Sequence, residues 1–146
     1  MKTYRKRLAA AASALGLLAI LTGQPMAHAQ NPPSPIVVAV EKSGIDTTKP
    51  FVLVVQFQAK HGEGPALEKA FAPAIAATRK EKGCLQYDLS RDPTAPESYL
   101  LYERWTDLES LKAHLVSEHI ATMQKALEGV RAAPPQARVL APVGNP

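Results

Sequence analysis

Residues 84–105, CLQYDLSRDPTAPESYLLYERW, read as two strands joined by a turn. Leu85, Tyr87 and Leu89 alternate with Gln86, Asp88 and Ser90, the period of a half-buried strand. Residues 91–96, RDPTAP, carry turn chemistry. Residues 98–105 return as a second strand. Tyr99, Leu101, Glu103 and Trp105 share one face, while Leu100, Tyr102 and Arg104 share the other. The connection, about five residues long, suits a hairpin.

The flanks fix the order of elements. Upstream, residues 51–60 (FVLVVQFQAK) form a strand whose Phe51, Leu53, Val55 and Phe57 point one way. The run 61–64, HGEG, breaks it. Pro65 suits the first helical position. Leu67, Phe71, Ala74, Ile75 and Thr78 then follow the spacing of an amphipathic helix. Pro73 inside this helix predicts a kink or a split, and Gly83 supplies the stop after Arg79, Lys80 and Lys82.

Downstream, residues 106–109 (TDLE) match a capping box with the Thr106 hydroxyl as cap. Leu108, Leu111, Leu115 and Ile120 give the next helix its apolar stripe. Ser117 recaps a second, offset helix that runs to Leu127, and Gly129 ends it. Residues 138–143 (RVLAPV) read as the last strand, with Pro142 marking a frayed edge. The order β-α-β-β-α-β predicts an α+β, ferredoxin-like domain: an antiparallel sheet with its helices on one face. The other sheet face is left open, and a homodimer is the simplest way to cover it.

At 146 residues the chain holds one such domain, here residues 51–143, and excludes a TIM barrel. Residues 1–29 read as a secretory signal: Lys2, Arg5, Lys6 and Arg7, an apolar run 8–21, then Ala27-His28-Ala29 before cleavage. The apolar run is short of a membrane span; an uncleaved, membrane-tethered chain is the alternative. A cleaved chain has no stable membrane insertion and is periplasmic or secreted. Residues 30–50 form a Pro-rich extension, opening on a linker (QNPPSP) and including a short strand at 36–41 (IVVAVE).

All 13 acidic residues lie after residue 29, with 13 of the 17 Lys and Arg, so the cleaved chain is formally neutral. Nothing electrostatic then points to nucleic acid. Cys84 is the single cysteine, which excludes an intramolecular disulfide and Cys-rich metal sites. It reads as a buried, inert thiol. His114 and His119 are five positions apart, so neither has a histidine at i+4 to form a zinc pair.

Glu81-Lys82-Gly83-Cys84-Leu85-Gln86-Tyr87, then Glu103-Arg104-Trp105, then Leu111, His114 and His119 follow in order. This run resembles the antibiotic biosynthesis monooxygenase family, whose pattern is E-x-G-C-x-x-Y, E-x-W, L-x-x-H and a second His nearby. The resemblance covers roughly residues 51–130. It implies a dimeric α/β barrel. It also implies an oxygenase that uses O2 on a quinol or polycyclic phenol with no metal or organic cofactor. Haem-degrading proteins of similar fold carry an Asn on the first strand and a late haem-ligating His, and residues 51–59 and 122–127 hold neither. No G-x-G-x-x-G follows a strand, so nucleotide cofactors lack a motif.

Within that reading His114 is the first candidate base, since imidazole titrates near neutrality. Its alternative is a structural histidine on the inward stripe. Glu103 shares a strand face with Trp105; it orients the base or accepts a substrate hydroxyl, or it only pairs with a cation. Trp105 is a pocket wall or the largest core side chain. Tyr87, Tyr99, Phe57 and His119 are candidate substrate contacts, with sheet packing or a structural role as the alternative. His61 reads as solvated, and Arg104 as facing away from Trp105. A non-catalytic barrel that binds a small aromatic or hydrophobic molecule in the cell envelope is the competing function. A cavity of about 300 Å³ or more joining His114 to Trp105 favours catalysis, whereas a packed core there favours binding.

Overall fold

The computed structural model describes residues 34–144. The signal segment 1–29 therefore lies outside the described residues. The elements run α1 (Pro35–Lys42), β1 (Phe51–Gln58), α2 (Gly64–Thr78), β2 (Cys84–Arg91), β3 (Ser98–Trp105), α3 (Leu108–Leu115), α4 (Glu118–Ala126) and β4 (Gln136–Leu140). The strands form one antiparallel sheet in the order β2-β3-β1-β4. From β1 onward this is the ferredoxin-like α+β arrangement, with the second helix broken in two.

Residues 36–41 are helical, not a strand. The β-branched run IVVAVE suggests a strand by composition, but its two buried positions, Val37 and Val40, are three apart. Ser34 caps the helix by accepting from Ile36 N at 3.3 Å, and Pro35 occupies its first turn. Helix α1 then packs beside β4 and α3.

The remaining elements show how local chemistry sets the boundaries. Helix α2 runs unbroken through Pro73. Proline removes the N–H that Lys69 C=O would receive. Pro73 lies on the exposed side of the helix, where the freed carbonyl can turn to water. Helix α3 is capped by Asp107 rather than Thr106: Asp107 Oδ1 accepts from Ser110 N at 2.7 Å, and Thr106 Oγ1 donates to Asp107 Oδ2. The carboxylate is the stronger acceptor at a helix N-terminus. The last strand is shifted upstream to Gln136–Leu140 and forms a sheet edge.

The inner faces of β1 and β3 alternate as expected. Phe51, Leu53, Val55, Phe57, Tyr99, Leu101, Glu103 and Trp105 are all buried, against Leu67, Phe71, Leu108, Leu111, Ile120 and Met123 of the helices. Phe57 meets Phe71 edge to face at 5.1 Å. Strand β2 departs from strict alternation. A bulge between Cys84 and Gln86 pushes Leu85 out, 49% exposed, while Tyr87 stays inside.

Candidate active site

Four elements bring the candidate residues together. Glu81 lies in the turn between α2 and β2, and Gly83 fixes that turn. Gly83 has φ +90°, and a Cβ there would sit 2.1 Å from Ser110 Oγ. Its carbonyl accepts from Thr106 N at 2.9 Å, which ties the turn to the start of α3. His114 is near the end of α3, and His119 is in the first turn of α4. One continuous helix would carry two residues five apart to different faces. The break at Val116 and Ser117 turns them toward each other, with ring centroids 5.9 Å apart.

Glu81 joins the two rings. His114 Nδ1 lies 2.8 Å from Glu81 Oε2, and His119 Nε2 lies 3.0 Å from Glu81 Oε1. Hydroxyls of Thr78 and Ser117 lie 3.3 and 3.2 Å from the same His119 nitrogen. His114 also stacks at 4.7 Å on Trp105 and meets Tyr87 edge-on at 5.3 Å. Trp105 Nε1 donates to Glu103 Oε2 at 2.9 Å. The result is one line of contacts: Glu103, Trp105, His114, Glu81, His119.

Burial sets the electrostatics of this line. Among the described residues Glu103 has only the indole N–H as hydrogen-bond partner, and burial pushes its pKa up to about 7, with a smaller push from the negative Glu81. Burial lowers the pKa of His114 while Glu81 pulls it back, and the net direction is down. His114 therefore favours the neutral ring at neutral pH. With Nδ1–H donating to the Glu81 carboxylate, the lone pair is left on Nε2. Burial also raises the Tyr87 phenol far above its usual range, so it stays protonated. The same cause raises the pKa of Cys84, which is half-buried rather than buried, and disfavours its thiolate.

The structure thus brings His114, Trp105, Glu103, Tyr87 and His119 together. Phe57 shares the core, packed on Phe71. Tyr99 is turned to another partner: its hydroxyl donates to Glu68 at 2.9 Å. His61 is exposed and 3.1 Å from Glu97. Arg104 does face away from Trp105, and its Nε is buried with no partner among the described residues. Glu81 is the residue that sequence reasoning left without a role, although it opens the E-x-G-C run.

The His114–Trp105 contact is closed. Trp105 is 0% and His114 3% exposed, so their rings are packed together rather than set around an open space. A groove of about 650 Å³ between α2 and α4 reaches the cluster at His119; Ala66, Ala70, Pro73 and Met123 make its apolar walls.

The chain is similar to several solved structures. A Pseudomonas aeruginosa protein, PA3566, is 27% identical, with 68% of this chain and 100% of that one covered at a TM-score of 0.63. Rv0793 of Mycobacterium tuberculosis is 26% identical, with 66% and 98% covered at 0.61. SnoaB of Streptomyces nogalater, a cofactor-independent oxygenase, is 20% identical, with 66% and 96% covered at 0.58, a likeness of fold alone. Among curated proteins none matches. The profile of the antibiotic biosynthesis monooxygenase family matches residues 50–126, more than half of the chain and all of the Glu81-to-His119 line. The chain belongs to the antibiotic biosynthesis monooxygenase family.

Proposed function

We propose that this protein is an oxygenase that deprotonates a quinol or polycyclic phenol and lets the anion react with O2, without an organic cofactor. The observation that carries the reading is the Glu81–His114 pair: a buried imidazole with one nitrogen 2.8 Å from a carboxylate. His114 Nε2 takes the substrate proton. Glu81 fixes the ring and stabilises the imidazolium that forms. The anion passes one electron to O2, the resulting radical pair joins through a new C–O bond, the peroxide takes back the proton held by His114, and loss of water leaves a carbonyl. One oxygen atom stays in the product and the other leaves as water. Trp105 and Tyr87 pack against the His114 ring at 4.7 and 5.3 Å, and Glu103 in its protonated form can donate a hydrogen bond. Because His114 is closed off, substrate has to part α4 from α2, and the apolar groove at His119 is where that opening begins.

Oxygen uptake by chelator-treated protein, with a panel of hydroquinones and anthrones, tests this. Turnover above buffer autoxidation is expected. Its absence across the panel overturns the reading. The packed Trp105–His114 contact favours a second reading, a barrel that binds a small aromatic molecule without turning it over. Trp105 is the single tryptophan, so quenching of its fluorescence without O2 uptake would identify that case.

Two further parts of the proposal concern the whole chain. The protein is exported to the periplasm or beyond, with cleavage after Ala29; an intact Met1 in the envelope fraction, read by mass spectrometry, would refute it. It is a homodimer built on the outer sheet face, where Leu100 is 38% exposed. Light scattering at low micromolar concentration is expected to give about twice the mass of the cleaved chain, and a monomer would count against it.

A further inference from the structure

We propose that Glu81, His114 and His119 form a binding site for one divalent transition-metal cation of the zinc kind. The proposal rests on geometry and stands apart from the oxygenase reading. One ligand atom from each residue lies within 4.8 Å of the other two, and the two imidazole–carboxylate separations are 2.8 and 3.0 Å. Ligands held 2.0–2.2 Å from a tetrahedral zinc lie about 3.3 Å apart. Small side-chain adjustments therefore open the cluster around an ion.

The donor set and its support point the same way. Two imidazoles and one carboxylate suit zinc, copper, nickel or iron, whereas calcium and magnesium select all-oxygen sites. Three protein ligands leave a fourth position, which water can fill. His114 is locked by its contacts with Trp105 and Tyr87, so its nitrogen is aimed before any ion arrives. Glu81 and His119 are 19% and 25% exposed, and His119 lines the α2–α4 groove, which gives an entry path. Cation binding and the proposed base role exclude each other at His114, because a ring coordinated through Nδ1 carries its proton on Nε2. The alternative is that hydrogen bonds alone hold the cluster, with the carboxylate accepting from both rings and no ion.

Titration of the chelator-treated chain with zinc sulfate, by calorimetry and by metal analysis after gel filtration, separates the two. One zinc per chain is expected. His119→Ala and Glu81→Gln are each expected to weaken binding more than about 100-fold, beyond what loss of a supporting contact costs. Substitution at the exposed histidine, His61→Ala, is expected to leave binding unchanged. Circular dichroism confirms that each variant is folded; should Glu81→Gln unfold, the partly exposed His119 carries the test. Absence of stoichiometric zinc, or the same affinity in His119→Ala, overturns the proposal. Either result is read without any measure of turnover.

Discussion

Glu103 and Glu81 sit at different points of one line of contacts and in opposite surroundings. Glu103 is enclosed by the sheet core with one indole N–H for company, and its pKa rises to about 7. Glu81 is partly exposed, accepts from His114 Nδ1 and lies 3.0 Å from His119 Nε2. The same side chain is thus a group that favours its neutral form at one place and an anchor for histidines at the other. Burial decides the first case, and the turn that carries Glu81 to within 3.0 Å of both rings decides the second. Between them lie Trp105 and His114, which the account makes the wall and the base.

The largest expected effect breaks the middle of the line. His114→Ala is expected to slow oxygen uptake by about 10²–10⁴-fold, the usual cost of losing a general base. Steady-state rates on the quinol panel check it; full retention would leave the reaction standing and remove His114 from it.

The Glu81 end depends on a backbone turn. Gly83→Ala puts a Cβ at φ +90° and into contact with Ser110 and Thr106. A loss on the order of 3–5 kcal/mol in urea unfolding is expected from strain plus overpacking. A loss under about 1 kcal/mol would show that the turn does not hold Glu81 in place.

The Glu103 end is sharpened by pH. Its folded pKa, about 7, lies above the ordinary value of 4.5, so the native state keeps a proton that the unfolded chain releases. Stability is fully present below about pH 4.5, falls as pH rises, and levels off above about 7. Glu103→Gln removes that slope and is expected to stabilise the protein by about 3 kcal/mol at pH 8, with no gain at pH 4. His114 acts in the opposite sense: its pKa is lowered, so its contribution is lost as pH falls below 6.5. Comparing Glu103→Gln with the parent chain at each pH cancels the His114 part. An equal effect of the substitution at both pH values would contradict the assignment.

The smallest effect tests the link between the two. Trp105→Phe removes the donor to Glu103 and part of the stack on His114. A loss of about 1–2 kcal/mol is expected, and the Glu103 pKa should rise further, because that hydrogen bond is what lowers it. Denaturation midpoints at several pH values check both.

Much of this molecule is legible in its residues. Period-two alternation places β1 and β3 with the correct inner faces, and Glu103 and Trp105 come out on one side. The misreadings share a cause: a strong local signal overruled by a neighbour. IVVAVE looks like a strand, but Ser34 and Pro35 begin a helix there. Thr106 looks like a cap, but Asp107 takes the position. Leu85 alternates correctly and is expelled by a bulge. At the site, the five-residue gap between His114 and His119 argues against a shared role until the helix break is counted. Ser117 signals that break in the sequence. Glu81 can be found only through the turn that folds it back onto α3, a long-range contact that no local period encodes.

The central claim is that His114 ionises a bound phenol, and one measurement isolates this from oxygen chemistry. Wild type and His114→Ala are mixed anaerobically with an anthrone or hydroquinone that the oxygen-uptake panel shows to be turned over. The anion is followed by its absorbance at a pH where the free compound is neutral. The account predicts an anion band on the wild type and binding without that band on His114→Ala. Equal ionisation on both proteins, or none on the wild type, would contradict it.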